Sequence, residues 1–288
     1  MLTFTKEEYK LRITKTKESM EKQGIDVLLV TDPANMNYLT GFDAWSFYVH
    51  QLLIVIAEEE EPIWVGRGMD ASAAEITTWL SSKNILPYSD DHVQSTEKHP
   101  MDFVANMIEE KGLSNKTIAA EYDAYYFTAK NYIQLTKQLP NAKFVDGTSL
   151  VNWIRIVKSD KEIELIKRAA TIVTETMYKG IEKINAGVRE CDVVADIFHA
   201  QMSGTEEFGG DYTSIVPLLP SGEKTSACHL TWTDEKYKEG DPVILELAGC
   251  HKRYHSPLAR TLVIGKPTPE MEELADVAIE GIEEALSI

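Results

Sequence analysis

The sequence predicts two successive domains, an α/β layer followed by an α+β half, and three observations carry that prediction. Short apolar runs alternate with amphipathic helical stretches through the first half of the chain, the order that builds a partly parallel sheet covered by helices. Near Val151–Lys161 the pattern changes to Trp-Ile-Arg-Ile-Val-Lys-Ser-Asp-Lys-Glu. There Ser159, with Glu162 three residues on, forms a capping box for a long amphipathic helix. Beyond that helix, strand-like runs follow helices as a block instead of alternating with them. The boundary is placed at residue 155, giving domains 1–155 and 156–288.

In chain order, residues 1–24 read as a helix, because Leu2, Tyr9, Leu11, Ile13 and Met20 recur at loose helical spacing and Gly24 ends the run. Asp26-Val-Leu-Leu-Val-Thr is a short strand closed by the turn chemistry of Asp32-Pro-Ala-Asn, and Gln51–Ala57 is a second strand behind an aromatic loop. Met69–Ser82, His99–Gly112 and Ala124–Gln138 read as helices, and Thr117–Glu121 and Lys143–Val145 as strands. In the second half, a helix over Lys161–Asn185 sets Ile163, Ile166, Ala170, Val173 and Met177 on one stripe and ends at Gly187. A helix from Glu190 to Gln201, strands at Thr213–Leu219, Pro242–Leu247 and Arg260–Ile264, and a helix from Pro269 complete the reading.

With 288 residues and 43% apolar content, each half has enough material for its own core. No run of about 18 apolar residues is present, and the charged start MLTFTKEEYKLRITK lacks the apolar stretch of a signal peptide. The expected location is the cytosol. Forty-six acidic against 29 basic side chains, a net charge of −17, disfavour nucleic acid and anionic membranes as partners. That balance suits a salt-adapted enzyme or a cationic substrate, and equally plain solubility. Cys191, Cys228 and Cys250 have neither even count nor CxxC spacing, so they read as free thiols.

The motifs that carry chemistry lie in the second half. In order they are Ile-Val-Lys-Ser-Asp-Lys-Glu-Ile-Glu, Gly209-Gly-Asp-Tyr, a lone His229, Glu239-Gly-Asp-Pro-Val-Ile-Leu-Glu-Leu-Ala, and Ala259-Arg-Thr-Leu. Each is weak alone, but their order and spacing resemble the creatinase, prolidase and aminopeptidase P family across the whole chain. The resemblance implies a creatinase-like N-terminal domain followed by a pita-bread catalytic domain. It further implies that the catalytic domain continues beyond residue 288, that the protein is a homodimer, and that Phe47 reaches a neighbouring active site. In the family's metallopeptidases two aspartates eleven residues apart form half of a two-metal cage; here those positions are Glu246 and Pro257. Proline offers no side-chain donor, so no metal cofactor is expected, and a metal-dependent Xaa-Pro dipeptidase or aminopeptidase is the alternative reading. A catalytically silent homologue that binds a peptide or small molecule is the third. The glutamate that precedes Arg-Thr in creatinases is Ala259 here, and the blocks around Gly209, Ser226 and Glu246 are instead similar to the ectoine-hydrolysing branch. That similarity implies a small zwitterionic substrate, the cyclic amidine ectoine, opened to N-acetyl-2,4-diaminobutyrate.

Glu246, in an otherwise apolar strand and expected at its end, is the candidate nucleophile or water-activating base. An acidic group there also fits an ordinary strand-edge carboxylate. His229 sits where the resemblance places a catalytic histidine, and an imidazole can pass a proton between attacking and leaving groups. A loop histidine satisfied by its neighbours is the plainer reading. Asp211 and Tyr212 follow paired glycines that allow close approach to a ligand. Tyr254 and His255 lie with His251 in what reads as a turn between strands. Trp45 and Phe47 offer an aromatic face to a cationic ring, against core packing for Trp45.

Overall fold

The computed structural model describes residues 2–288 and divides the chain into two compact units, Met1–Lys158 and Ser159–Ile288. The first unit opens with α1 (Lys6–Lys22), capped by the Thr5 hydroxyl; Met1, where the expected helix began, lies outside the described residues. β1 (Val27–Val30) follows, and then α2 (Pro33–Thr40) stands where a turn was expected. Asp32 accepts a hydrogen bond from the Asn35 amide at 3.0 Å and Pro33 takes the first helical position, so the same residue types that make turns here start a helix. β2 (Leu52–Ile56) and β3 (Ile63–Arg67) form a hairpin, α3 is only Ala71–Thr77 within the expected 69–82 helix, and β4 is Ile85–Tyr88. α4 (Pro100–Glu110), β5 (Thr117–Ala120), α5 (Ala129–Gln138), β6 (Lys143–Asp146) and α6 (Leu150–Arg155) complete the unit. α5 begins five residues after the expected Ala124, at the Thr128 cap.

The six strands form one mixed sheet in the order β4-β3-β2-β1-β5-β6. β2 pairs antiparallel with both β1 and β3, while β1/β5, β3/β4 and β5/β6 are parallel. Every residue of β1 and β2 is buried, as central strands covered on both faces require. One face packs Val27, Leu29, Leu52 and Ile54 on Met101, Val104 and Ile108 of α4 and Leu135 of α5. The end of β5 leads into a buried carboxylate, Glu121, which accepts from the amides of Thr31 (2.7 Å) and Asp32 (2.8 Å) and from Asn35 Nδ2 (2.6 Å). It ties β5 to the β1–α2 junction, and burial raises its pKa against those donors.

The second unit starts with α7 (Asp160–Lys183), in which the expected capping box is present: Glu162 N donates to Ser159 Oγ and Ser159 N to Glu162 Oε2. α8 (Glu190–Ser203) packs on α7, and both cover a long hairpin of β7 (Pro242–His251) and β8 (Tyr254–Val263). α9 (Pro269–Leu286) closes the chain with no buried residue. Thr213–Leu219 is not a strand; only Leu218 and Ser221 bridge to β7, at Glu246 and Val243.

His99 caps α4 by accepting from the Met101 amide through Nδ1 (3.1 Å), and its ring lies 5.1 Å from that of His50. Burial, and next the charge of His50, push its pKa down from 6.5 to about 4. The unfolded chain therefore binds more protons than the folded one between those values, so stability is lost as pH falls from 6.5 toward 4. Thermal melts are expected to show Tm falling between about pH 7 and about pH 5. In His99→Asn, which keeps a good cap, that fall is expected to be shallower; an unchanged slope would remove His99 as its source.

Candidate active site

β7 sorts its side chains by alternation. Val243, Leu245 and Leu247 enter the core with Val173, Met177, Val193 and Ile197 of the two helices, so Ile244 and Glu246 project from the other face. Glu246 is therefore in the middle of a ten-residue strand and not at its end, because the strand runs on to His251. Its backbone exchanges hydrogen bonds with Leu218 (3.1 and 3.0 Å) on one side, and it pairs with Ala259 of β8 on the other. The half-buried carboxylate shares its face with Ile244 and Ala248 and, across the hairpin, with Pro257, Ala259 and Thr261. Among the described residues it has no hydrogen-bond or ion-pair partner.

A dinuclear metal cage of the metallopeptidase kind does not fit this face. Glu246 is its one ionisable donor, and Pro257 and Ala259 stand where further oxygen ligands would be needed. Among the described residues no three His, Cys, Asp or Glu side chains are grouped to hold a metal ion.

The far end of the hairpin gathers most of the other candidates. His251 and Tyr254 belong to strands, not to a turn; the turn is only Lys252-Arg253, with φ of 51° and 66°, the left-handed pair of a type I′ hairpin. The loop Gly209–Thr213 is laced to it. Asp211 N donates to Cys250 O (2.9 Å), Arg253 N to Asp211 Oδ2 (3.4 Å), and the Arg253 guanidinium lies 3.9 Å from the Tyr212 ring centre. Buried His251 sits 2.9 Å from Gly209 O through Nδ1. Both nitrogens of His255 are engaged: Nδ1 lies 3.0 Å from Arg253 O and Nε2 accepts from Ser214 N at 3.1 Å. These partners select the neutral Nδ1–H tautomer, and burial lowers the pKa in the same direction. The Tyr254 hydroxyl donates to Glu162 Oε1 at 2.8 Å.

His229 lies apart from that cluster, exposed at the tip of the 222–232 loop with φ of 69°, and no hydrogen bond joins it to Glu246. What gives this loop its shape is a residue to which the sequence analysis assigns no role. Glu190, the first residue of α8 and 1% exposed, binds both ends of the loop. The only sequence signal is an acid in a helix's first turn, which is common wherever a helix dipole is complemented.

Trp45 and Phe47 belong to the first unit. Trp45 is 64% exposed, which excludes core packing for it, and its ring lies 4.8 Å from Phe47 and 6.1 Å from Tyr48. Phe47 in turn meets Tyr126 edge-on at 6.0 Å.

The glycine pair before Asp211 is asymmetric. A Cβ on Gly210 would run into the Gln201 carbonyl, whereas one on Gly209 would come no nearer than 3.9 Å to Met202 O. Gly210→Ala is expected to lower stability by about 1–3 kcal/mol. Gly209→Ala is expected to stay within about 0.5 kcal/mol of the parent; equal denaturant midpoints for the two variants would contradict this packing.

Comparison with known proteins agrees with this geometry. Residues 12–157 match the Creatinase/Prolidase N-terminal domain and residues 164–288 match Metallopeptidase family M24. The chain is 43% identical to ectoine hydrolase of Halomonas elongata over all of its own length and 73% of that protein. It is 28% identical to creatinase of Bacillus sp. over 96% of its length and 65% of that enzyme's. The prolidase of Thermococcus sibiricus superposes with a TM-score of 0.82 at 24% identity, over 96% of this chain and 71% of the prolidase, and shows the shared fold. Among the described residues no helix is long and apolar enough to cross a membrane. The N-terminal domain, the helix-backed hairpin with its mid-strand carboxylate and the full-length similarity together show that the chain belongs to the creatinase/prolidase pita-bread family of hydrolases acting on carbon–nitrogen bonds.

Proposed function

We propose that the protein is a cytosolic, metal-independent hydrolase that opens the cyclic amidine ring of ectoine. The observation that carries the proposal is Glu246: a half-buried carboxylate on a face of Ile244, Ala248, Pro257 and Ala259, with no cationic partner among the described residues. In such surroundings an amidinium is the natural counter-ion, because the low local dielectric strengthens the pair. The similarity to the ectoine hydrolase of Halomonas elongata supports the choice of amidine. Pro257 in place of a second oxygen ligand supports chemistry without a divalent metal.

The amidinium carbon between the two ring nitrogens is the electrophile. Glu246 takes a proton from water as the water oxygen bonds to that carbon, or adds to it first and is then released by water. Breaking one ring C–N bond frees an amine, which needs a proton. His229 is assigned to deliver it, from an exposed loop tip. The sum is one water added and N-acetyl-2,4-diaminobutyrate formed. Asp211, Tyr212, Tyr254 and His255, gathered at the hairpin end, are assigned to substrate binding. Trp45 and Phe47, on the first unit, pair as an aromatic surface of the kind that suits a cationic ring, and the family resemblance implies a homodimer in which Phe47 serves a neighbouring active site.

Incubation with ectoine in chelator-treated buffer, followed by mass spectrometry, is expected to yield the acetylated diamine. Glu246→Ala is expected to abolish it, and His229→Ala to slow it by about 10²–10⁴-fold. Absence of product without metal, combined with dipeptide cleavage on adding manganese, would overturn the proposal in favour of a peptidase.

A further inference from the structure

We infer that Glu190 is a positioning residue that holds the His229 loop in its working shape. This rests on the proton-carrying role proposed for His229. The loop leaves Ser221, whose backbone bridges Val243 of β7, and returns at Thr233–Glu235 onto the start of α8, where Glu190 N donates to Glu235 O (2.9 Å) and Cys191 N to Thr233 O (3.1 Å). Glu190 spans the two ends with one carboxylate. Its Oε1 accepts from Ser221 Oγ (2.5 Å) and Lys224 Nζ (2.7 Å), and its Oε2 accepts from Thr233 N (2.7 Å) and Thr233 Oγ1 (2.9 Å). Lys224 extends the clamp to Glu235 Oε2 at 3.0 Å.

All four donors converge on a group that is almost wholly out of water, where a carboxylate is tolerated only if paired and fully hydrogen-bonded. Burial would raise the pKa of Glu190, but the Lys224 ammonium and the Ser221 and Thr233 donors outweigh it and hold the group below its ordinary value. Between the clamped ends, residues 228–232 make no backbone hydrogen bond to any described residue; the Trp232 ring rests edge-on against Phe198 at 5.9 Å. The path of the tip that carries His229 is therefore set by where its ends are tied. A carboxylate that fixes both ends restricts the orientations His229 can take, without touching substrate itself.

The test combines a double-mutant cycle with amide hydrogen exchange on the protein. Glu190→Gln keeps the volume and removes the charge. It is expected to lower kcat by about 10- to 100-fold through misplacement of the proton donor, with KM for ectoine changed far less, and to raise exchange across 222–232 while β7 and α7 stay protected. The double variant Glu190→Gln/His229→Ala is expected to be no slower than His229→Ala alone, the signature of two residues acting as a unit. Lys224→Met, which removes one donor at the more exposed end of the clamp, is expected to show the same pattern in milder form and serves if Glu190→Gln does not fold. Unchanged exchange in the loop, or additive losses when His229→Ala is itself impaired, overturns the positioning role alone. Full turnover in His229→Ala overturns the role proposed for His229, and the positioning role with it.

Discussion

Burial of Val243, Leu245 and Leu247 against α7 and α8 is the constraint on which the catalytic half depends. A strand cannot bury one parity of side chains without presenting the other, so the core contact itself directs Glu246 onto the opposite face. The same packing brings Gly249 directly under α7, where an added Cβ would run into Ala169 O and Val173 N, and Gln201 Nε2 donates to the backbone oxygen of Ala248 at 2.8 Å. A change that shifted β7 by one residue would exchange the carboxylate for a leucine and bury a charge in the core.

Around this strand the chain uses two different devices to fix loops. At the hairpin end the 209–214 loop is held by bonds from Asp211 to Cys250 and Arg253 and from Ser214 to His255, and glycine lets it press directly on the end of α8. On the other flank, the 222–232 loop is held through one buried carboxylate, Glu190, bonded to Ser221, Lys224 and Thr233. The first makes a stiff wall. The second leaves an exposed tip between anchored ends.

The first unit answers to a different constraint. Its central strands are buried on both faces, so β1 and β2 read as unbroken apolar runs, and polar groups that enter its interior have to be fully bonded. Glu121, with three donors at the β1–α2 junction, meets that requirement. The Trp45–Phe47–Tyr48 cluster, with Trp45 and Tyr48 exposed and Phe47 half-buried, is a set of contacting rings that the core has not absorbed.

The sequence by itself determined the elements whose signals are local. The Ser159–Glu162 capping box, the stripe of α7, the apolar runs of β1 and β2, and the motif order that points to the family are all written in neighbouring residues. Glu246 was legible for the same reason, as an acid inside an apolar run. Only tertiary structure decided what depends on pairing across the chain. Asp32-Pro33, whose residue types serve a turn or a helix start, is also tied from far along the chain, where Glu121 holds the amides of Thr31 and Asp32. Residues 213–219 stayed irregular because only Leu218 meets β7, whereas β7 and β8 grew past their apolar cores because each supplies the other's hydrogen bonds as far as the Lys252-Arg253 turn. Glu190 carried only the unspecific signal of an acid in a helix's first turn: its bonds are to Ser221, Lys224 and Thr233, and a hydrogen-bond set spread over more than forty residues has no local pattern to read.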